Sequence, residues 1–209
     1  MKRLFAIAVI LIAIASTASA KVISYRYEIP GTNGQYSIEF PLSYIVKSSD
    51  MRSYDPAVYV YGFDKEETMQ EMKQDGFEII AFDSDWNDVV IFIEKVGSCM
   101  DCSSQDLSLI DLKKMAKEFG EFYYEYRDNI TPINEDNLGI VYESANLNYI
   151  YIAYEWDDDG SKTFTEHYYL FEPEYGLDIC CAYYTKDADV FSESIDRMEF
   201  ITDSVIKHK

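Results

Sequence analysis

The sequence predicts an α+β domain, a mainly antiparallel sheet with helices packed on it, and three observations predict it. Short runs rich in Tyr, Ile, Val and Phe alternate with turn residues over most of the chain. Two segments instead carry apolar residues three and four apart between helix start and stop signals. The last strands come in one block with tight turns, which builds a meander rather than strand–helix–strand units.

The elements follow in order. Val22–Glu28 and Tyr36–Phe40 read as strands around the turn Pro30-Gly31-Thr32-Asn33-Gly34. Ala57–Gly62 is read as a third. Asp64 with Glu67 three residues on is a capping box. The helix it opens runs to Asp75, buries Met69 and Met72, and stops at Gly76, which supplies the left-handed cap. Phe77–Phe82 and Asp88–Val96 are strands around the polar turn 83–87. Ser108 with Asp111 opens a second helix, whose Leu109, Leu112, Met115, Phe119 and Phe122 form one face, and which ends near Arg127 before Pro132. Gly139–Ser144, Leu147–Trp156, Lys162–Glu172 and Gly176–Thr185 make the meander. Asp187 and Asp189 begin a final helix that Lys207, His208 and Lys209 end, both matching the helix dipole. Its buried stripe is Phe191, Ile195, Met198, Ile201 and Val205.

The N-terminus has its own pattern. Met1-Lys2-Arg3 is positive, Leu4–Ala15 is uncharged and apolar, and Ala18 and Ala20 occupy the A-x-A positions before Lys21. The apolar stretch is shorter than the ~20 residues a spanning helix needs. Residues 1–20 are therefore expected to be a cleaved Sec-type signal peptide, with 21–209 a single domain. A periplasmic or secreted location follows, with no lipid anchor (no Cys stands at the cleavage point) and no membrane insertion after cleavage. Removing Lys2 and Arg3 leaves 16 basic residues against 38 acidic, a net charge of −22. That field repels phosphate backbones and excludes nucleic acid as a partner. It suits cations or a basic partner protein. A domain of this size needs no oligomer for stability, so a monomer is expected.

Four cysteines, Cys99, Cys102, Cys180 and Cys181, are disulfide candidates in an exported chain, with three pairings possible. Cys99-Met100-Asp101-Cys102 has redox C-x-x-C spacing, but Asp101 and its distance from the next helix argue against a lowered thiol pKa. A local bridge or one that pins the loop is the plainer reading. Cys180 and Cys181 fall on opposite faces of a strand. Cys181 shares the more apolar face, which leaves Cys180 the better candidate for bridging.

Glu155, Asp157, Asp159 and Gly160, with Glu166 beyond, approach the calcium-loop pattern. Asp-Asp-Gly between two aromatic strands is also a strong hairpin signal. No cofactor is expected, with Ca²⁺ at this turn as the alternative. Tyrosine is abundant, 19 in all. Tyr149 and Tyr151 share a strand face with Glu155 and form a candidate binding surface. Catalysis has little to draw on. The histidines are His167, within a strand, and His208, in the tail, and no nucleophile elbow, H-E-x-x-H or phosphate loop is present.

The stretch Tyr36–Pro41 (YSIEFP), the helix and hairpin of 64–96, Asp106–Lys117 (DLSLIDLKKMAK) and the closing pattern of Phe164–Tyr184 before a last helix resemble exported bacterial proteins of the Mog1/PsbP-like group. The resemblance covers most of 36–206 and rests on pattern, not on an invariant motif. It implies an α/β/α sandwich around an antiparallel sheet. Its members range from a photosystem accessory subunit to a small-GTPase binder, so it carries no catalytic residue onto these positions. The expected function is a non-enzymatic binding or accessory module for an extracytoplasmic protein or small ligand. The alternatives are thiol-redox chemistry at Cys99 and Cys102, or calcium binding at 155–166.

Overall fold

The computed structural model describes residues 24–83, 90–96, 102–125, 127, 129–134, 138–158, 160–172, 177–186, 191, 198 and 201–208. Strands β1 (Ser24–Glu28) and β2 (Tyr36–Pro41) form the expected first hairpin, paired from Ser24↔Pro41 to Glu28↔Ser37. Gly31 and Gly34 take positive φ in its turn. Then come β3 (Tyr44–Ser48), α1 (Pro56–Tyr59), α2 (Lys65–Asp75), β4 (Phe77–Asp83) and β5 (Val90–Val96). A 3₁₀ turn (Ser104–Asp106) and α3 (Leu109–Glu125) lead to β6 (Ile130–Pro132), β7 (Ile140–Glu143), β8 (Asn148–Asp158), β9 (Ser161–Glu172), β10 (Leu177–Thr185) and β11 (Ile206–Lys207).

The main sheet runs β3-β4-β5-β10-β9-β8-β6, with β7 also beside β8, and every pairing in it is antiparallel. One face packs on a small sheet, β1-β2-β11, and on Met198, Ile201 and Val205 of the C-terminal segment. The other face is covered by α3 over Ile150, Ile152, Tyr154, Tyr169 and Phe171, and by Met51 and Ala57 over Ile45. The α+β class and the antiparallel sheet flanked by helices are as the sequence indicated, with a small sheet added to one covering layer.

Local chemistry set several boundaries as expected. The Asp64 carboxylate accepts the Glu67 backbone N–H at 2.9 Å, and Gly76 closes α2 at φ +82°. Ser108 caps α3, its Oγ accepting from the Asp111 N–H at 3.2 Å.

Three expectations are corrected. Residues 57–62 are not a strand: Pro56 fixes the first turn of a short helix, and the tyrosines and valine beyond it stand in solvent. The tail does not stay helical to its end. Ile206 and Lys207 pair with Ser37 and Tyr36, and the His208 N–H donates to Gln35 O at 2.7 Å. The buried line of α3 is Leu112, Ala116, Gly120 and Tyr123, while Leu109 and Phe122 are exposed. Glycine explains that rotation. A Cβ at Gly120 would sit 2.6 Å from Gly139 N, and one at Gly139 would sit 2.1 Å from Ala116 O. The helix thus meets the 138–139 backbone with no room for a side chain.

Gly120→Ala is expected to lower stability, although alanine in a helix interior is normally worth up to ~1 kcal/mol over glycine. Overpacking against backbone costs about 1–3 kcal/mol, which corresponds to a Tm fall of roughly 2–10 °C in a thermal melt. A rise in Tm would contradict the tight approach.

Candidate functional site

The sequence-selected residues fall mostly in the interior. Tyr149 is fully buried and its hydroxyl donates to Thr202 O at 3.1 Å. Tyr151 is half-buried and donates to Glu166 at 3.2 Å. Glu155 pairs with Lys162 at 2.6 Å on the neighbouring strand. The expected Tyr149–Tyr151–Glu155 surface is therefore not an exposed patch, because the small sheet and C-terminal segment cover Tyr149.

At the β8–β9 turn, Asp158 pairs with Ser161, and Gly160 stands at φ +85° with its N–H donating to the Asp157 carboxylate at 2.8 Å. That is a two-residue hairpin. Asp157 serves the turn, while Glu166, eight residues from Asp158, is fully buried and accepts from Tyr151 and from Tyr168 at 3.1 Å. Asp159 lies outside the described residues. Among the described residues no group of three His, Cys, Asp or Glu side chains is placed to hold a metal ion.

Cys102 is exposed and has no disulfide partner among the described residues, and Cys99 lies outside them. Cys181 pairs in register with Ile93 and Tyr168, and Cys180 with Glu94 and Tyr169.

His167 is buried, with tyrosine hydroxyls against its ring nitrogens. Tyr154 and Tyr169 hydroxyls lie 3.1 Å from Nε2 and Nδ1, and both rings stack on the imidazole. Burial first, and Arg127 second, push its pKa down to about 3. The ring is therefore neutral over the ordinary pH range and is held as a structural hydrogen-bonding group.

The open chemistry lies elsewhere, at a position that the sequence reading did not select. A groove of about 740 Å³ runs between β1 with its following turn and the segment 48–56. Tyr25, Tyr27 and Tyr54 line it with Arg26, Arg52, Glu28 and Asp50. A second groove of about 510 Å³ shares Pro30, Gly31 and Asp50 with it and continues to Lys73 and Glu78. The β1 edge is open: β1 lies at the end of its sheet and pairs only with β2 among the described residues.

The rim is aromatic. Tyr25 is 48 % exposed and Tyr54 69 %, and Tyr59, Val60 and Tyr61, at and after the end of α1, are exposed as well. Arg52 donates to the Tyr54 hydroxyl at 2.8 Å, and the Asp55 carboxylate accepts the Arg52 N–H at 2.7 Å. Arg26 is held by Glu39 across the β1–β2 pair. The Tyr27 hydroxyl is pushed up to about 12, by burial first and then by Asp55 and Tyr25, so it remains a proton donor. Glu28 and Asp50 have no side-chain hydrogen bond or ion pair among the described residues, and both act on Arg52. A signal was present in the sequence: YRYE (25–28) and RSYD (52–55) set arginine beside tyrosine in an otherwise acidic chain.

These features define an α+β sandwich domain whose sheet faces are covered and whose accessible chemistry lies at a strand edge. No family model and no curated protein matches the chain. Among solved structures it is similar to the solution structure of cyanobacterial PsbP (CyanoP) from Synechocystis sp. PCC 6803, with 12 % identity and TM-score 0.49 over 91 % of this chain and 96 % of that one. It is similar as well to the apo structure of the immunity protein TplEi of T6SS from Pseudomonas aeruginosa (7 % identity, TM-score 0.47, 88 % of this chain and 96 % of that one). A crystal structure from Bacteroides thetaiotaomicron VPI-5482 is similar with 11 % identity and TM-score 0.43, covering 88 % of this chain and 48 % of that one.

The state of His167 gives a pH prediction. The unfolded chain takes up this proton near 6.5, the folded chain only near 3. The stability it contributes is full above about pH 6.5 and is lost as pH falls toward 3, by at most about 1.4 kcal/mol per pH unit. Denaturant titrations across that range should show a shallower acid loss for His167→Gln than for the parent. Equal slopes would mean that the imidazole is not held neutral.

Proposed function

We propose that the chain is an exported, non-enzymatic binding module that holds a partner protein at the groove between β1 and segment 48–56. The observation that carries this reading is the groove itself, where an open strand edge meets exposed tyrosines and two arginines. Tyrosine and arginine are the residues that most often dominate binding energy at protein interfaces. Tyrosine brings large contact area with few rotatable bonds, and its hydroxyl adapts to either donor or acceptor. Tyr25 and Tyr54 supply that combination at the groove, and Tyr59 and Tyr61 stand exposed a few residues further along the chain.

The signal-like segment 1–20 supports export to the periplasm or the medium, and among the described residues no helix is long and apolar enough to cross a membrane. The acidic balance supports a basic or cationic partner and weighs against nucleic acid. The neutral, enclosed His167 supports a non-enzymatic role, because it has no approach for a substrate proton.

The test is site-specific photocrosslinking in the native host, using the full-length chain. A photoreactive residue at Tyr54 should capture a discrete partner. The same residue at Ile110, which is 80 % exposed on α3, should not. Tyr25→Ala combined with Tyr61→Ala should reduce capture from position 54 at least several-fold. Equal capture from both positions, or none from position 54, contradicts the reading.

A further inference from the structure

We infer that the outer edge of β1 accepts an extended cationic segment of a partner protein as an added strand, with the segment's lysine or arginine side chains meeting Glu28 and Asp50. The inference rests on the binding-module reading and adds the chemistry and backbone mode of the partner.

The backbone argument comes first. The Ile29 N–H donates to Tyr36 O at 2.9 Å, which fixes the phase of the β1–β2 ladder. Antiparallel pairs alternate along a strand, so Tyr25 and Tyr27 bond toward β2, while the N–H and C=O groups of Ser24, Arg26 and Glu28 point away from it. Those outward groups form a row without a strand partner among the described residues. An unpaired row of this kind is a template for strand pairing. β1 contains no proline, so no outward N–H is missing from this row. The groove beside it provides the volume, about 740 Å³, and the edge is five residues long, roughly 17 Å.

Charge selects the occupant. Arg26 is already neutralised by Glu39 across the ladder, and Arg52 is left facing three groove carboxylates, Glu28, Asp50 and Asp55, so the groove keeps a negative excess. The Glu28 and Asp50 carboxylates remain without a hydrogen bond or ion pair among the described residues. The continuing groove past Pro30 is lined by Lys73 and by Glu78, whose carboxylate accepts from the Ser49 hydroxyl. A chain carrying −20 formal charge supplies no long-range attraction for an acidic segment. An extended segment with alternate Lys or Arg places backbone on the β1 edge and cations on these acids, with Tyr25 and Tyr54 against the intervening apolar side chains.

The experiment uses protein purified from full-length expression and fluorescein-labelled peptides of about seven residues, matched to the edge. One alternates Val and Lys, one alternates Val and Glu, and one is the Val/Lys peptide N-methylated at every second amide. Fluorescence anisotropy should show saturable binding of the Val/Lys peptide only, weakening as salt rises. N-methylation should reduce affinity about tenfold or more, independently of any change to the protein. Arg26→Pro removes an outward N–H and should do the same, while Arg26→Ala, which loses the same ion pair, should stay within about threefold. Asp50→Asn with Glu28→Gln should weaken binding several-fold.

Three peptide-binding results overturn the inference: no saturable binding of the Val/Lys peptide, equal binding of the acidic peptide, or binding indifferent to both N-methylation and Arg26→Pro. In the last case the groove still binds, so the binding-module reading survives while strand addition does not. Dimerisation of the free protein that Arg26→Pro abolishes also overturns it, since a second copy would then occupy the edge. Loss of photocrosslinking from position 54, by contrast, removes the binding-module reading itself.

Discussion

Strand β9 has no solvent face from Thr165 to Glu172, and the rest of the structure is arranged around the polar groups that this encloses. Glu166, His167 and Glu172 each lie within the sandwich, and burying such groups without partners costs several kcal/mol. Tyrosine provides the partners. Tyr151 and Tyr168 donate to Glu166, Tyr154 and Tyr169 flank the His167 nitrogens, and Tyr36 donates to Glu172. Ser103 and Lys207 complete the Glu172 cluster at 2.8 and 3.4 Å, which ties β2, the 3₁₀ turn and the C-terminal strand to one carboxylate. The high tyrosine content thus has a structural origin. Tyrosine fills a core as phenylalanine does and satisfies an acceptor at the same time.

This arrangement determines where function can lie. With α3 on one face of the main sheet and the small sheet on the other, little of either surface is left for a ligand. Accessible backbone and unpaired charge occur together instead at the edge of the small sheet. β1 is bonded on one side only, and the segment 48–56 stands off from it far enough to leave a groove. The tyrosines of this region, Tyr25, Tyr54, Tyr59 and Tyr61, differ from those of β8 and β9 in a simple respect: they are exposed. One residue type therefore occupies two settings, satisfying buried groups in the meander and standing in solvent near the small-sheet edge.

What was legible in the sequence follows the range of the interactions involved. Asp64, Gly76 and Ser108 act on backbone within a few residues of themselves, and the helices they bound are where their spacing places them. The aromatic and β-branched runs of 139–185 carry their own strand preference. By contrast, Ile206–Lys207 becomes a strand only because Tyr36–Ser37 offers an edge, a pairing across some 170 residues that no local pattern encodes. The run Val58-Tyr59-Val60-Tyr61 has strand composition, but Pro56 starts a helical turn before it. Alternation correctly placed Tyr149 and Tyr151 on one face with Glu155. It could not tell that a second sheet covers that face, and this is why the candidate surface proved to be interior. The groove was invisible for a related reason, since its walls come from segments some 25 residues apart that meet only after both sheets have formed.

The central claim, that tyrosine hydroxyls make the two-sided burial of β9 tolerable, is tested most directly by a double-mutant cycle between Tyr168→Phe and Glu166→Gln, read by denaturant unfolding. Glu166 is fully enclosed and Tyr168 donates to it at 3.1 Å, so the account predicts a coupling energy of about 1 kcal/mol or more. Additive losses, with coupling within about 0.3 kcal/mol of zero, would contradict it.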